Sequence, residues 1–273
     1  MPKTRPLPTT VVSVAMVLAV CSAGCSSSEA PSDYYRIANL KSSSGVTNGI
    51  NNIRLTALKQ TSRGLGAQAG LAWRSQQVNA LLERKKHSLD QVFNFNYLIL
   101  NSNVLPPVLT EGQNILNLAD NQNIRISDHD YQIVYPPRFI TAPPTWRDYL
   151  WMNYRKPDLP NTTLLPKNSK EADIWNQYAK IGWSEGIEQA ADIFQTNLNR
   201  LTRDLNGMIL YRKLLRQNMV STPFVAEANL GVTGGGNSMR INDRVLRITS
   251  TPELKANTKV WQPVISKQEV AEE

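Results

Sequence analysis

Between Ser169 and Asn218 apolar residues recur at helical spacing. Ile174, Tyr178, Ile187, Ala190, Phe194, Leu198, Leu201, Leu205 and Met208 fall on one stripe. The pattern predicts a helix which, if continuous, spans roughly 75 Å at about 1.5 Å per residue. Such length predicts a bend, near Gly182 and Gly186 or at Asn206-Gly207. A second helical pattern runs from Asn48 to Lys86, with Leu71, Val78 and Leu82 in register. Gly64, Gly66 and Gly70 weaken its middle, so one broken helix or two are expected.

Elsewhere the period changes to two. Phe93 to Leu100 begins with alternating aromatic and Asn residues, which predicts a strand with one buried face. Tyr131 to Ile140 is a second strand candidate, with Pro136 and Pro137 confined to an edge because proline donates nothing to a ladder. Lys156 to Lys170 carries three prolines among polar turn formers and predicts a long loop. Beyond Met219, Phe224 to Val232 and Met239 to Thr249 flank the glycine run Gly234-Gly235-Gly236; with a tight turn at Asn242-Asp243 they predict two or three antiparallel strands. The fold class is therefore α+β, with long helices packed on a small, mainly antiparallel sheet.

The first residues behave differently. Lys3 and Arg5 precede the apolar run Val11 to Val20, which is followed by Ser22, Ala23 and Gly24 directly before Cys25. This is the composition of an export signal, residues 1–24, whose apolar run of about ten residues is half of what a membrane-spanning helix needs. Ala-Gly before Cys25 resembles the bacterial lipobox, which makes Cys25 the expected lipid-attachment residue and a palmitate-type acyl anchor the expected modification. Residue 26 is Ser, which favours the outer membrane over inner-membrane retention. Residues 25–47 form the lipidated start and a tether, beginning with the small, polar Ser26 to Asp33.

Composition adds constraints. The chain has 273 residues and two cysteines, and with Cys21 removed and Cys25 blocked the exported chain has no free thiol to form a disulfide. The formal charge of +8 is spread over scattered Lys and Arg residues, and no aromatic platform is interleaved with them, so direct nucleic-acid binding is not expected. Anionic headgroups or acidic partner surfaces suit that charge better.

Catalytic features are weak. Gly231 to Asn237 lacks the Gly-Lys-Ser/Thr of a phosphate loop and reads as a hairpin loop. Asp128-His129-Asp130 beside Ser127 has turn composition. Glu185 and Glu188 read as an exposed helix face, and Gly182 and Gly186 around Trp183 as a notch for close packing. No cofactor or metal site is expected. A lipid-anchored periplasmic enzyme such as a cell-wall hydrolase is the alternative class, and it would need a carboxylate pair or metal site. The aromatic segment is more informative: Trp146, Arg147, Tyr149, Trp151 and, beyond it, Trp183 are residue types that dominate protein interfaces, with the hydrophobic core as their other use.

Three stretches together are distinctive: YPPRFITAPPTWRDYL, the helix with GWSEGIEQA and IFQTNLNRLTRDLNGMILYRKLL, and NMVSTPFVAEANLGVTGGGNSMRINDRVLRIT. They resemble the DotC family of type IVB secretion and conjugal-transfer lipoproteins, including its branch on I-type conjugative plasmids, over about Leu65 to Thr249. The resemblance assigns residues 48–250 to a DotC-like domain and leaves 251–273 as a tail. It implies an outer-membrane lipoprotein on the periplasmic face, acting with a DotD-like lipoprotein and a DotH-like component in a ring-like core complex. It also implies a structural role, helping the DotH-like partner to reach the outer membrane, and supplies no catalytic residues.

Overall fold

The structure is a computed structural model and describes residues 31–42, 52–118 and 124–262. The expected signal segment 1–24, Cys25, residues 26–30 and 43–47 of the expected tether and the end of the tail lie outside the described residues, whereas the part of that tether between them holds a helix, Ser32–Ala38, whose Ile37 is buried in the core rather than free. In chain order the elements are α1 (Ser32–Ala38), α2 (Asn52–Arg84), α3 (Lys86–Val92), β1 (Val104–Leu105), β2 (Val108–Leu118), β3 (Ile124–Tyr135), β4 (Arg138–Phe139), α4 (Trp146–Leu150), α5 (Ser169–Arg216), β5 (Phe224–Gly235) and β6 (Ser238–Ser250). The fold is α+β as the sequence pattern implies. Among the described residues its strands form three separate two-stranded antiparallel sheets, β1–β4, β2–β3 and β5–β6.

The chain divides into two units: Met1–Val92 with Leu150–Asn197, and Phe93–Tyr149 with Leu198–Glu273. The first is built on the contact of α2 with the early part of α5. A Cβ placed on Gly66 or Gly70 would lie closer than 3.0 Å to the carbonyl oxygens of Ala179 and Trp183, and one on Gly182 or Gly186 to those of Arg63 and Ala67. Both sets of partners rise together along the chain, so the two helices run parallel. Each helix thus contributes a Gly-x-x-x-Gly pair to the seam, and backbone meets backbone where side chains would hold the helices apart.

Beside this seam a hydrophobic cluster contains Leu58, Leu65, Trp175 and Trp183 together with Ile37 of α1. Trp175 is fully buried and its Nε1 donates to the Ile37 carbonyl at 2.9 Å, which satisfies the one polar atom of the ring. At the start of α5, Glu171 accepts from Arg54 Nε at 2.7 Å and Nη2 at 2.9 Å, a bidentate pair with the carboxylate almost wholly buried. The same guanidinium donates to the carbonyls of Thr163 and Leu165, pinning the loop before α5. Asn79 performs a similar task with Met152, donating to its carbonyl at 2.7 Å and accepting from its N–H at 3.1 Å.

In the second unit, the end of α5 packs on the base of β2. Gly207 lies against the backbone of Leu109, and Leu109, Tyr211, Leu214 and Val220 form a buried cluster. From that base, the outer part of the β2–β3 hairpin carries exposed side chains. The β5–β6 hairpin is exposed along nearly its whole length on both faces.

Several expectations are corrected. Phe93 to Leu100 is not a strand: it forms 3₁₀ turns, although Phe93 and Phe95 are buried as the alternation suggested. The Asn94 side chain accepts from the Asn96 N–H at 3.0 Å, a local bond that replaces a ladder bond. The helix from Asn52 is not broken at its glycines, since these fill the seam with α5. Likewise α5 runs without interruption through Gly182, Gly186 and Gly207. In its first half the buried stripe is Trp175, Ala179, Trp183 and Ala190 rather than the half-buried Ile174, Tyr178 and Ile187. Asp128-His129-Asp130 lies within strand β3, paired with Gln113 and Gly112, not in a turn. Asn242-Asp243 is an irregularity within β6, with Asn242 at φ +57°, and the hairpin turns instead at Gly236-Asn237.

Candidate protein-interaction site

The aromatic segment begins with a local cap. Thr145 donates through its N–H and hydroxyl to Asp148 Oδ2 at 2.7 and 3.0 Å, which starts the short helix α4. That turn directs Trp146 inward, where it is 1 % exposed, and leaves the Arg147 guanidinium over its ring at 4.2 Å. Tyr149, 9 % exposed, stacks on Phe95 with ring centroids 6.1 Å apart and donates its hydroxyl to Asp204 at 3.1 Å. Asp204 in turn accepts from Arg203 Nε and Nη2, and Arg203 covers the ring of Tyr135 at 5.0 Å.

Tyr135, Tyr149 and Asp204 border a cleft of about 410 Å³, with Leu105, Val108 and Met208 on its apolar side and Arg138 and Arg200 among its polar groups. Burial first, and the Asp204 charge second, push the Tyr149 phenol up to about 12. Tyr149 is therefore a fixed hydrogen-bond donor, too weak an acid to exchange protons near neutrality. What the arrangement does is hold α4 against α5.

Of the five aromatic-segment residues singled out from the sequence, three are core residues. Trp146 and Tyr149 are buried in the second unit, and Trp183 in the first, where it meets Tyr34 at 5.6 Å and Trp73 at 5.7 Å. An indole packed among its own chain's side chains has no surface left for a partner. Arg147 is half-buried, and Trp151 is 46 % exposed beside the clamped Met152. Trp151 is thus the large aromatic of this set that still presents a face.

The weak catalytic features have structural explanations. Glu185 forms a bidentate pair with Arg63 across the helix seam, one bond being 2.7 Å, and the pairing lowers the Glu185 carboxyl below its usual range. His129 meets Glu111 at 2.9 Å on the exposed β2–β3 hairpin, where Tyr131 also donates to Glu111. Among the described residues no group of three or more His, Cys, Asp or Glu is arranged to hold a metal ion. No helix among them is long and apolar enough to cross a membrane.

Exposed apolar side chains cluster on the hairpins. Leu116, Ile124 and Ile126 near the end of β2–β3 are 54–64 % exposed, and Val232, Met239 and Ile241 near the end of β5–β6 are 65–67 % exposed. The pairing of Leu116 with Ile126, and the alternation of strand side chains, place Leu116, Ile124 and Ile126 on one face. Alternation around the Gly234–Met239 pair does the same for Val232, Met239 and Ile241. Sequence reasoning did not identify β2–β3 as a hairpin; the signal that could have found it is the alternating Ile124-Arg125-Ile126 continuing into the Tyr131 strand.

Two-stranded hairpins are marginally stable in water, and clustered apolar side chains on their exposed faces mark contact surfaces. Residues 52–263 match the family model described as type IV secretory system, conjugal DNA-protein transfer. No curated protein matches the chain. The family match covers well over half of the sequence, and the chain belongs to that family.

Proposed function

We propose that this member of the type IV secretory family of conjugal DNA-protein transfer is an architectural lipoprotein of the transfer machine's outer-membrane core, not an enzyme. Acylated Cys25 holds the chain to the periplasmic face of the outer membrane, and the small, polar stretch between it and α1 gives the folded part reach to dock. Working with a DotD-like lipoprotein, it helps a DotH-like component to take its place there.

The observation that carries this reading is the pair of hairpins with clustered, exposed apolar side chains. A monomer operating alone in water loses solubility from such surfaces, whereas a subunit of a large assembly covers them. The lipobox-like Ala23-Gly24-Cys25 supports the anchor.

The test is affinity isolation of a C-terminally tagged chain from detergent-solubilised membranes of transfer-competent cells, beside a Cys25→Ser version, with mass spectrometry of partners and of the N-terminal peptide. Acyl chains on Cys25, co-isolation of DotD- and DotH-like proteins, and reduced outer-membrane recovery of the serine version are the expected results. An unacylated chain recovered alone would remove both anchor and assembly role.

A further inference from the structure

Resting on that assembly role, we propose that the cleft between α4, the end of α5 and the bases of β2 and β3 captures a short acidic segment of a partner protein. One carboxylate of that segment sits on Arg138 and Arg200, and an adjoining apolar side chain lies against Tyr135 and Pro136.

Every residue lining this cleft belongs to the second unit. Its one carboxylate, Asp204, is already engaged: it is 7 % exposed and accepts from Tyr149 at 3.1 Å and from Arg203 at 2.8 and 2.9 Å. Arg203 therefore balances Asp204, and the charges of Arg138 and Arg200 stay uncompensated. Among the described residues neither of these two guanidinium groups has an ion-pair or hydrogen-bond partner, and both are exposed. They meet at one phenol. Arg200 lies over the Tyr149 ring at 5.1 Å, and both arginine charges oppose the burial that raises that hydroxyl. Arg138 is held by its pairing with Leu105 in the β1–β4 sheet, and Arg200 by the long helix α5. Two forks of N–H donors on fixed elements thus face one cleft with no acceptor in the chain to satisfy them.

Such a pair takes an anion, and three features select a carboxylate on a peptide. First, a planar guanidinium matches a carboxylate two bonds to two oxygens, and the fixed negative charge of Asp204 in the same wall repels a phosphate dianion more than a single carboxylate charge. Second, the floor of Leu105, Val108 and Met208 and the exposed Tyr135 and Pro136 give the cleft an apolar side, which a bare inorganic anion would leave wet and a neighbouring side chain covers. Third, about 410 Å³ is near the lower end of the usual range of ligand pockets, room for a few side chains but not for the paired acyl chains of a lipid. A nucleic-acid strand needs successive aromatic faces, and Tyr149, 9 % exposed and stacked on Phe95, offers none.

The test uses the purified full chain in detergent, labelled with a fluorophore, on an array of short peptides. Each peptide carries Glu, Asp, Gln, Lys or phosphoserine at its centre, with Leu, Val, Ile or Ser beside it. The expected result is that acid-centred peptides with an apolar neighbour bind, and that their Gln-centred counterparts bind about tenfold less, as loss of a charge-assisted hydrogen bond implies. Arg138→Gln and Arg200→Gln each lower binding by a similar factor, and Arg138→Lys retains part of it. Arg240→Gln, an exposed position on β6 outside the cleft, leaves binding unchanged. Binding also falls as pH drops from about 5 to about 3, where the peptide carboxylate takes up its proton and arginine keeps its charge. Arg138 stacks on no ring, so its variant keeps the test valid should Arg200→Gln unfold.

A parent that binds no acid-centred peptide overturns the proposal, as does an equal loss of binding in Arg240→Gln. Preference for phosphoserine peptides, or displacement of the acidic peptide by inorganic phosphate, oligothymidylate or phosphatidylglycerol vesicles at equal concentration, overturns it too and assigns the cleft to those anions. The affinity isolation above reads the assembly role separately: partners that co-isolate with a chain unable to bind acidic peptides leave that role standing and remove the cleft from it.

Discussion

Gly186 of α5 approaches Ala67 of α2 so closely that a Cβ on the glycine would collide with the alanine's carbonyl oxygen. Gly182 stands in the same relation to Arg63, one turn earlier on both helices. Because the obstruction is backbone on both sides, relief requires the helices to separate, which also strips packing from Trp183 and Leu65.

Gly186→Ala and Gly182→Ala are each expected to lower stability by about 1–3 kcal/mol, the usual cost of overpacking a tight contact. Gly64, in the same helix α2 but with open space around it, is the control. Gly64→Ala is expected to stabilise by roughly 0.5–1 kcal/mol through the smaller entropy of the unfolded chain. Denaturant melts of the three variants measure this; equal effects at positions 64 and 186 would contradict the seam.

The Arg54–Glu171 pair makes acid stability a second readout. Hydrogen bonding from Arg54, opposed by burial, holds the Glu171 carboxyl below the ordinary carboxylate range. A carboxyl lowered on folding contributes stability above its unfolded value, and that contribution is lost as pH falls through the folded value. Glu171→Gln is expected to cost about 3 kcal/mol near neutrality, since Arg54 then keeps a partly buried charge without its counter-ion. The gap in melting temperature between parent and variant should narrow below pH 4.5; a gap that is constant from pH 3 to 7 would show the pair to be inert.

Trp146 and Trp151, five positions apart, are expected to separate folding from assembly. Truncating the buried Trp146 to Ala should cost about 3–5 kcal/mol. At Trp151 the same change should alter stability by no more than about 0.5 kcal/mol, while reducing recovery of partners in the affinity isolation. Both effects are read from melts and co-isolated protein; a stable Trp146→Ala chain with impaired assembly would move that indole from core to surface.

At alkaline pH two buried phenols respond together. Burial raises Tyr149 and Tyr211 to about 12 from the ordinary 10. Their folded forms therefore hold protons that the unfolded chain has lost, and stability falls as pH rises from about 10 towards 12. Tyr149→Phe and Tyr211→Phe in combination should flatten that decline in a pH series of melts, at a cost of about 1 kcal/mol per lost hydrogen bond near neutrality. An unchanged slope would mean that other groups govern the alkaline limit.

How much of this was legible differs by element. The long helix could be read because Phe194, Leu198, Leu201, Leu205 and Met208 keep a strict helical stripe, and the Gly182/Gly186 notch because small residues four apart share a face. In its first half the stripe was misassigned by one position, because the buried surface there is built from Gly, Ala and Trp rather than aliphatic residues. The β2–β3 hairpin was missed for a different reason. Polar residues fill the middle of β2 from Thr110 to Asn114, and Asp128-His129-Asp130 interrupts the apolar alternation of β3, so neither strand has the one-sided pattern that burial writes into a sequence. The division between core and surface among the tryptophans could not be read at all, since Trp146 and Trp151 have similar neighbours and differ in that Trp146 opens a five-residue helix whereas Trp151 follows its end.

The parallel seam joins residues more than a hundred positions apart in the chain, Gly66 with Ala179 and Ala67 with Gly186. Local helix formation is fast, but a contact of such sequence separation waits on the closure of a long loop, and topologies dominated by such contacts fold slowly. While the chain is being made, α2 exposes a glycine-lined groove until the first turns of α5 emerge. A chain interrupted before Ser169 can build the helix but not the unit, so this half of the protein has a late and all-or-none point of commitment in its biogenesis.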